Sequence, residues 1–205
     1  MQVHLSVQKS KMPLRLMYES RRRLSDEEYW KFCVANPDLN VERSAEGEVV
    51  IVPPAGPESS NRNWKVAVQL GVWAESDGRG ECFDSSAQFL LPDGSAMSPD
   101  ASWVSKESLK RLTHEELKKF PRLVPEFVVE VRSPSDRLKP ALAKMERWIA
   151  NGVQLAWFID GDSETVYVYR QGHSVEKLRG VRKLAGEGPV KRFVLDLRPV
   201  WQGLG

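Results

Sequence analysis

The chain has few of the residues that build disulfide scaffolds or soft-metal centres, with two cysteines and three histidines in 205 residues. Cys33 and Cys82 lie far apart and outside any C-x-x-C spacing, which points to two reduced thiols in a cytoplasmic protein rather than to a redox or zinc motif. His4, His114 and His173 are scattered and offer no zinc spacing. Long apolar runs are missing too. The longest, such as 156–159, fall far short of the ~20 residues that a membrane span requires. The opening MQVHLSVQKSKMPLRLMYES has no apolar h-region, so no secretory leader is expected. Nor is there an excess of either charge. Thirty Lys and Arg against 28 Asp and Glu leave a net charge of +2, which permits nucleic-acid binding without arguing for it.

What remains is ordinary globular material, 41% hydrophobic and 28% charged, enough to bury the core of one domain. A single domain over residues 21–205 is expected, preceded by a poorly ordered segment, 1–20. Ser25 and Glu28 have capping-box spacing and open a helix that Asn36-Pro37 stops. Residues 41–52 predict a hairpin turning at Ala45-Glu46-Gly47. Trp64, Val68, Val72 and Trp73 recur at helical spacing within 59–76, and Trp64 and Trp73 are expected on a buried face. Residues 82–91 and 101–104 read as two strands around the turn Pro92-Asp93-Gly94, and 106–119 as a polar, partly helical insertion. The nearly continuous apolar run 126–132 predicts a central strand. A helix over 140–151, a hairpin of 155–159 with 165–169, and a last strand over 193–197 complete the pattern. The fold class is therefore α/β, a mixed central sheet flanked by helices with additional β-hairpins, and strands 126–132 and 155–159 form a parallel pair across a crossover helix.

Two carboxylates stand out. Asp100 in SPDASW opens one strand, and Glu130 in EFVVEVRSPS interrupts an apolar one, where a carboxylate is costly unless paired or metal-bound. On neighbouring strands the two can converge on a hard divalent ion, Mg²⁺ or Mn²⁺, and Mg²⁺ asks for only one or two protein carboxylates. Such an ion supports phosphodiester hydrolysis, and a nearby cation would steady the charge that builds on the phosphoryl oxygens. Arg132 shares Glu130's strand face. Lys144 borders the apolar stripe of the next helix and can snorkel toward the sheet. Lys144 is the preferred catalytic cation and Arg132 the preferred phosphate clamp.

SPDASW, PEFVVEVRSPS and AKMERWIANGVQLAWFID, together with VERSAEGEVVIVPP and ECFDSSAQFLLPDGS, resemble the Uma-type family of restriction endonucleases in the PD-(D/E)XK nuclease superfamily. The resemblance covers roughly residues 20–200. It implies a restriction-endonuclease-like fold and metal-dependent DNA cleavage, with Asp100 as the PD aspartate, Glu130 as the second metal ligand and Lys144 as a lysine moved onto the following helix. It also brings Glu42 toward the metal. Arg132 stands where the superfamily's simplest pattern has lysine. A homodimer suits cutting both strands of a duplex. The competing reading is a non-catalytic nucleic-acid-binding or scaffold protein on the same fold.

Overall fold

The computed structural model describes residues 23–204 and the backbone of 15–16. The expected N-terminal segment thus lies almost wholly outside the described residues. Its two described positions form strand β1 (Arg15–Leu16). Helix α1 (Asp26–Ala35) opens on the expected capping box, with Ser25 accepting from the Glu28 amide and Glu28 reaching back to the Ser25 amide. β2 (Val41–Arg43) and β3 (Val49–Ile51) form the expected hairpin. Pro57 begins the long helix α2 (Pro57–Asp77), and Gly78 ends it at φ 70°, a left-handed conformation that suits glycine.

The expected single strand 82–91 is two strands in two different sheets. β4 (Gly80–Asp84) pairs antiparallel with β7 (Ala101–Ser105), while β5 (Phe89–Leu90) and β6 (Ala96–Met97) make a small hairpin around Pro92-Asp93-Gly94. Asp84 breaks the run, because its carboxylate turns back onto the Ser86 amide and hydroxyl and closes a local turn. The polar insertion folds as two single-turn helices, α3 (Lys106–Leu109) and α4 (His114–Leu117), the second with a Thr113/Glu116 capping box. Then come β8 (Phe127–Val131), α5 (Leu138–Ala150), β9 (Leu155–Asp160), β10 (Thr165–Arg170), β11 (Glu176–Arg179), β12 (Lys183–Ala185), β13 (Val194–Asp196) and α6 (Arg198–Gln202). The sequence reading did not resolve β11, β12 and α6, which are short and charged.

The main sheet has six strands in the order β11-β10-β9-β8-β7-β4, and β8 and β9 are its parallel pair, joined by α5. β8 is therefore interior, as its apolar run predicts. A five-stranded sheet, β1-β3-β2-β6-β5, forms a separate ladder, and its Phe89 and Met97 share a core cluster with Val104 and Val128 of the main sheet. Side chains alternate between two cores. On one face Val129, Val131, Trp157, Ile159 and Val166 pack with Val66, Leu70 and Ala74 of α2. On the other, Val128, Ala156 and Phe158 pack with Met145 and Trp148 of α5. Alternation puts Glu130 on the α5 face.

The expected burial of Trp64 is corrected by the structure. Trp64 is 67% exposed, as is Val72, while Val66, Leu70 and Ala74 face the sheet. The apolar residues of α2 wrap around more than one face of the helix, and spacing alone cannot say which face docks. Trp73 does pack on the core, against Trp103 and Phe193.

Candidate active site

The site forms where β7 and β8 meet under the first half of α5. Ala101 pairs with Val129, so continuing this antiparallel register sets Asp100 beside Glu130. Asp100 accepts the Val131 amide on Oδ2 at 2.7 Å and Asn63 Nδ2 on Oδ1 at 2.8 Å. Glu130 Oε1 accepts Trp148 Nε1 at 2.9 Å and pairs with Lys144 Nζ at 2.9 Å. Lys144 Nζ also reaches Glu42 Oε1 at 3.0 Å and the Ser98 carbonyl at 3.1 Å. The Ser98 amide donates to the same Glu42 oxygen. Lys144 and Trp148 are four residues apart on α5, one face of a helix, so a single helix delivers both groups to Glu130.

These groups line a cavity of about 430 Å³ shared by Glu42, Asn63, Asp100, Glu130, Asp136 and Lys144. Arg132 does not join them. Its guanidinium pairs with Asp160 Oδ2 at 2.9 Å and bonds the Asp136 carbonyl, and it is absent from the cavity wall. Arg132 shares a face with Glu130, as its position predicts, but Asp160 in the neighbouring strand takes its charge.

Burial holds Glu130 up at about 7, with Asp100 and Glu42 pushing the same way and Lys144 opposing. Asp100 also lies above the usual carboxylate range. Burial is the main cause, and the Val131 amide and Lys144 pull back. Burial would lower Lys144, but Glu130 and Glu42 overcome it and hold its ammonium above the ordinary lysine value. The Lys144 ammonium is thus held charged, and it donates to Glu130, Glu42 and the Ser98 carbonyl. The wall carries more buried carboxylate than its one ammonium can balance.

That imbalance fits a hard divalent cation. Asp100 and Glu130 supply oxygen donors, and Asn63 Oδ1 is a buried acceptor with no partner among the described residues, suited to a cation-bound water. Among the described residues no three Asp, Glu, His or Cys side chains converge tightly enough to form a metal cluster, so Glu42 contributes through Lys144 and the fit rests on the Asp100–Glu130 pair.

Asn63 and Trp148 are the site residues that sequence reasoning missed. Trp148 reads as core packing, although its spacing from Lys144 was a usable signal. Asn63 carries no motif. It is held in place because Arg62 pins the start of α2 to the β9–β10 turn through Asp162, at 2.7 Å, while an i,i+4 pair with Glu58 in α2 itself, at 3.0 Å, steadies the same guanidinium. Gly161 leaves room for that guanidinium, since a Cβ there would lie 2.6 Å from Arg62 Cζ. On the reading of Asp100 as a metal ligand, Asn63→Ala is expected to slow cleavage about 10- to 100-fold, and to lower stability by about 1–3 kcal/mol, because an Asp100 oxygen loses its donor. Single-turnover rates and thermal melting check both.

Residues 26–198 match the family described as Uma2, "putative restriction endonuclease". The chain belongs to the Uma2 family. Its fold is similar to a crystal structure of a "putative nuclease belonging to DUF820" from Anabaena variabilis ATCC 29413, with a TM-score of 0.67, 17% identity, and coverage of 80% of this chain and 91% of that one. A weaker likeness, TM-score 0.35 and 15% identity over 53% of this chain and 9% of the other, is to a DrdV–DNA complex. No curated protein matches. The mixed sheet with flanking helices in this Uma2 chain is thus the nuclease-type architecture that its sequence motifs imply. Among its described residues no helix is long and apolar enough to cross a membrane.

Proposed function

We propose that this chain is a Mg²⁺- or Mn²⁺-dependent endonuclease that hydrolyses DNA phosphodiester bonds, in one domain spanning residues 21–205. The observation that carries the reading is the meeting of Asp100, Glu130 and Lys144 on one cavity wall, with more carboxylate than the single ammonium offsets. Membership in a family described as restriction endonucleases supports the reaction class.

Asp100 and Glu130 would hold the cation, which when bound supplies Lewis-acid charge and an acidified water. The Val131 amide and Asn63 hold the Asp100 carboxylate in one orientation. Trp148 fixes Glu130. Lys144 keeps its proton and offers positive charge to the oxygens of the attacked phosphate as they gain charge. Arg132, engaged by Asp160, has no part in this chemistry. Cutting both strands suits a pair of copies, each with one site.

Plasmid cleavage with Mg²⁺ or Mn²⁺, with and without a chelator, tests the reading against an Asp100→Ala/Glu130→Ala double variant purified identically. Chelator-sensitive nicking by the native chain alone is expected. Equal activity in both preparations would remove the proposal. The closed Lys144–Glu130–Glu42 network also suits a binding protein without catalysis. For that reading, calorimetric titration with Mn²⁺ should show no occupancy that the double variant abolishes.

A further inference from the structure

The cavity cannot by itself hold a polyanion. Among the described residues, the one cation on its wall besides Lys144, which its own carboxylates occupy, is Arg137, against Glu42, Asp100, Glu130 and Asp136. Affinity for a phosphate backbone therefore has to draw on cations outside the cavity as well as on Arg137, and the sheet register says where they are. Glu130 pairs across to Phe158, Phe158 to Tyr167, and Tyr167 to Lys177. Directly paired residues share a face, so Lys177 on the edge strand β11 stands on the same face as Glu130, three strands away. At about 4.8 Å per strand that is about 14 Å, or roughly four steps of 3.4 Å along one DNA strand. Arg179 follows on the same face, opposite Thr165 and, through it, Asp160. Arg137 and Lys139, at the start of α5, lie on the helix that covers this face.

All four side chains are exposed, and among the described residues none has an ion-pair partner. Arg62, Arg132 and Arg170, close by in the sequence or the sheet, are each tied to carboxylates. Lys177 is positioned without being neutralised, because its ammonium rests 5.2 Å from the centre of the Tyr167 ring. Unpaired cations in a chain of nearly balanced charge, aligned with the candidate site by sheet register, are complementary to a duplex backbone.

We propose that Lys177 and Arg179, with Arg137 and Lys139, form the surface that grips the phosphates of duplex DNA as it leaves the cavity. This rests on the nuclease reading and adds where the substrate lies. Phosphate contacts of this kind carry affinity and register but no sequence preference.

The test is fluorescence anisotropy of the full chain with a labelled duplex oligonucleotide in chelator, over 50–200 mM salt, alongside plasmid cleavage with Mn²⁺. Lys177→Glu/Arg179→Glu is expected to weaken binding roughly tenfold or more near 100 mM salt. It should also flatten the plot of log affinity against log salt by about two units, because each phosphate contact contributes about 0.9. KM should rise while the rate at saturating DNA holds. A control of equal charge change, Lys110→Glu/Lys118→Glu in the polar insertion at the other end of β7, should stay within about threefold of native binding. Unchanged affinity and slope in the β11 variant, or an equal loss in the control, overturns the surface while leaving native cleavage, and so the nuclease reading, intact. A native chain that neither binds nor cuts duplex DNA overturns both.

Discussion

Asp100→Ala is expected to reduce metal-dependent cleavage by on the order of 10³-fold, corresponding to about 4 kcal/mol of lost transition-state stabilisation. Asp100 opens β7 opposite Glu130, and its two oxygens are fixed by the Val131 amide and Asn63. Removing it halves the carboxylate pair and leaves the cation that the site calls for without a rigid anchor. Effects on stability oppose one another. The variant loses a carboxylate that burial disfavours in its charged form, but leaves two donors unmatched, which costs about 1–3 kcal/mol. Asp100→Asn is the cleaner partner variant, since its side-chain oxygen still accepts one donor. It should melt close to the native protein and be as inactive as the alanine form. Single-turnover cleavage with Mn²⁺ and thermal melting are the measurements. Cleavage within tenfold of native for either variant would remove Asp100 from the chemistry.

Lys144→Met should be nearly as damaging to cleavage and should also change how stability depends on pH. Among the described residues the ammonium is the one cation set among Glu42, Glu130 and Asp100, at 3.0 Å from the first and 2.9 Å from the second. Without it those carboxylates repel one another in a partly buried wall, and loss of one partner from such a network costs on the order of 2–3 kcal/mol after allowing for its partial exposure. Glu130 already sits at about 7 in the native protein, above its unfolded value, and loses its main opposing influence in the variant. A carboxyl whose folded pKa exceeds its unfolded one keeps its proton longer in the folded state, so stability falls as pH rises between the two values. The variant is therefore expected to be close to native in stability near pH 5 and clearly weaker by pH 8. Denaturant unfolding at both values checks this. An equal deficit at pH 5 and pH 8 would mean that Lys144 acts by packing rather than by charge. Cleavage should fall about 10²–10³-fold, the scale of losing one preorganised donor.

The parts of the fold legible in sequence were those with strong local signatures. Capping boxes at Ser25 and Thr113, the apolar run of β8 and the crossover helix α5 all occur where pattern places them. What escaped was tertiary. Nothing local says that Trp64 faces water while Val66 faces the sheet, because both belong to one broadly apolar helix. The division of 82–91 between two sheets depends on the Asp84 turn and on partners far along the chain. The site divides in the same way. The meeting of Asp100 and Glu130 was readable because a carboxylate at the mouth or middle of an apolar strand is conspicuous. The approach of Lys144 to that pair was readable because it borders the buried stripe of α5. Arg132 was misleading, since strand alternation gives its face but not that Asp160, one strand over, takes its charge. Asn63 was invisible, an amide on a distant helix whose role exists only after α2 docks.

The delivery of the ammonium from α5 instead of from β8 has a consequence for how the candidate site comes apart. Asp100 and Glu130 come from adjacent strands, but Lys144 and Trp148 reach Glu130 only when α5 is seated on β9 and β10 through Met145 and Trp148. A loosened state that keeps its strands paired while the helix slides or lifts would retain most of its secondary structure and none of the assembled site. The assembly of this cavity wall is thus a readout of helix-on-sheet docking, more sensitive than any backbone signal to the first failure of tertiary order.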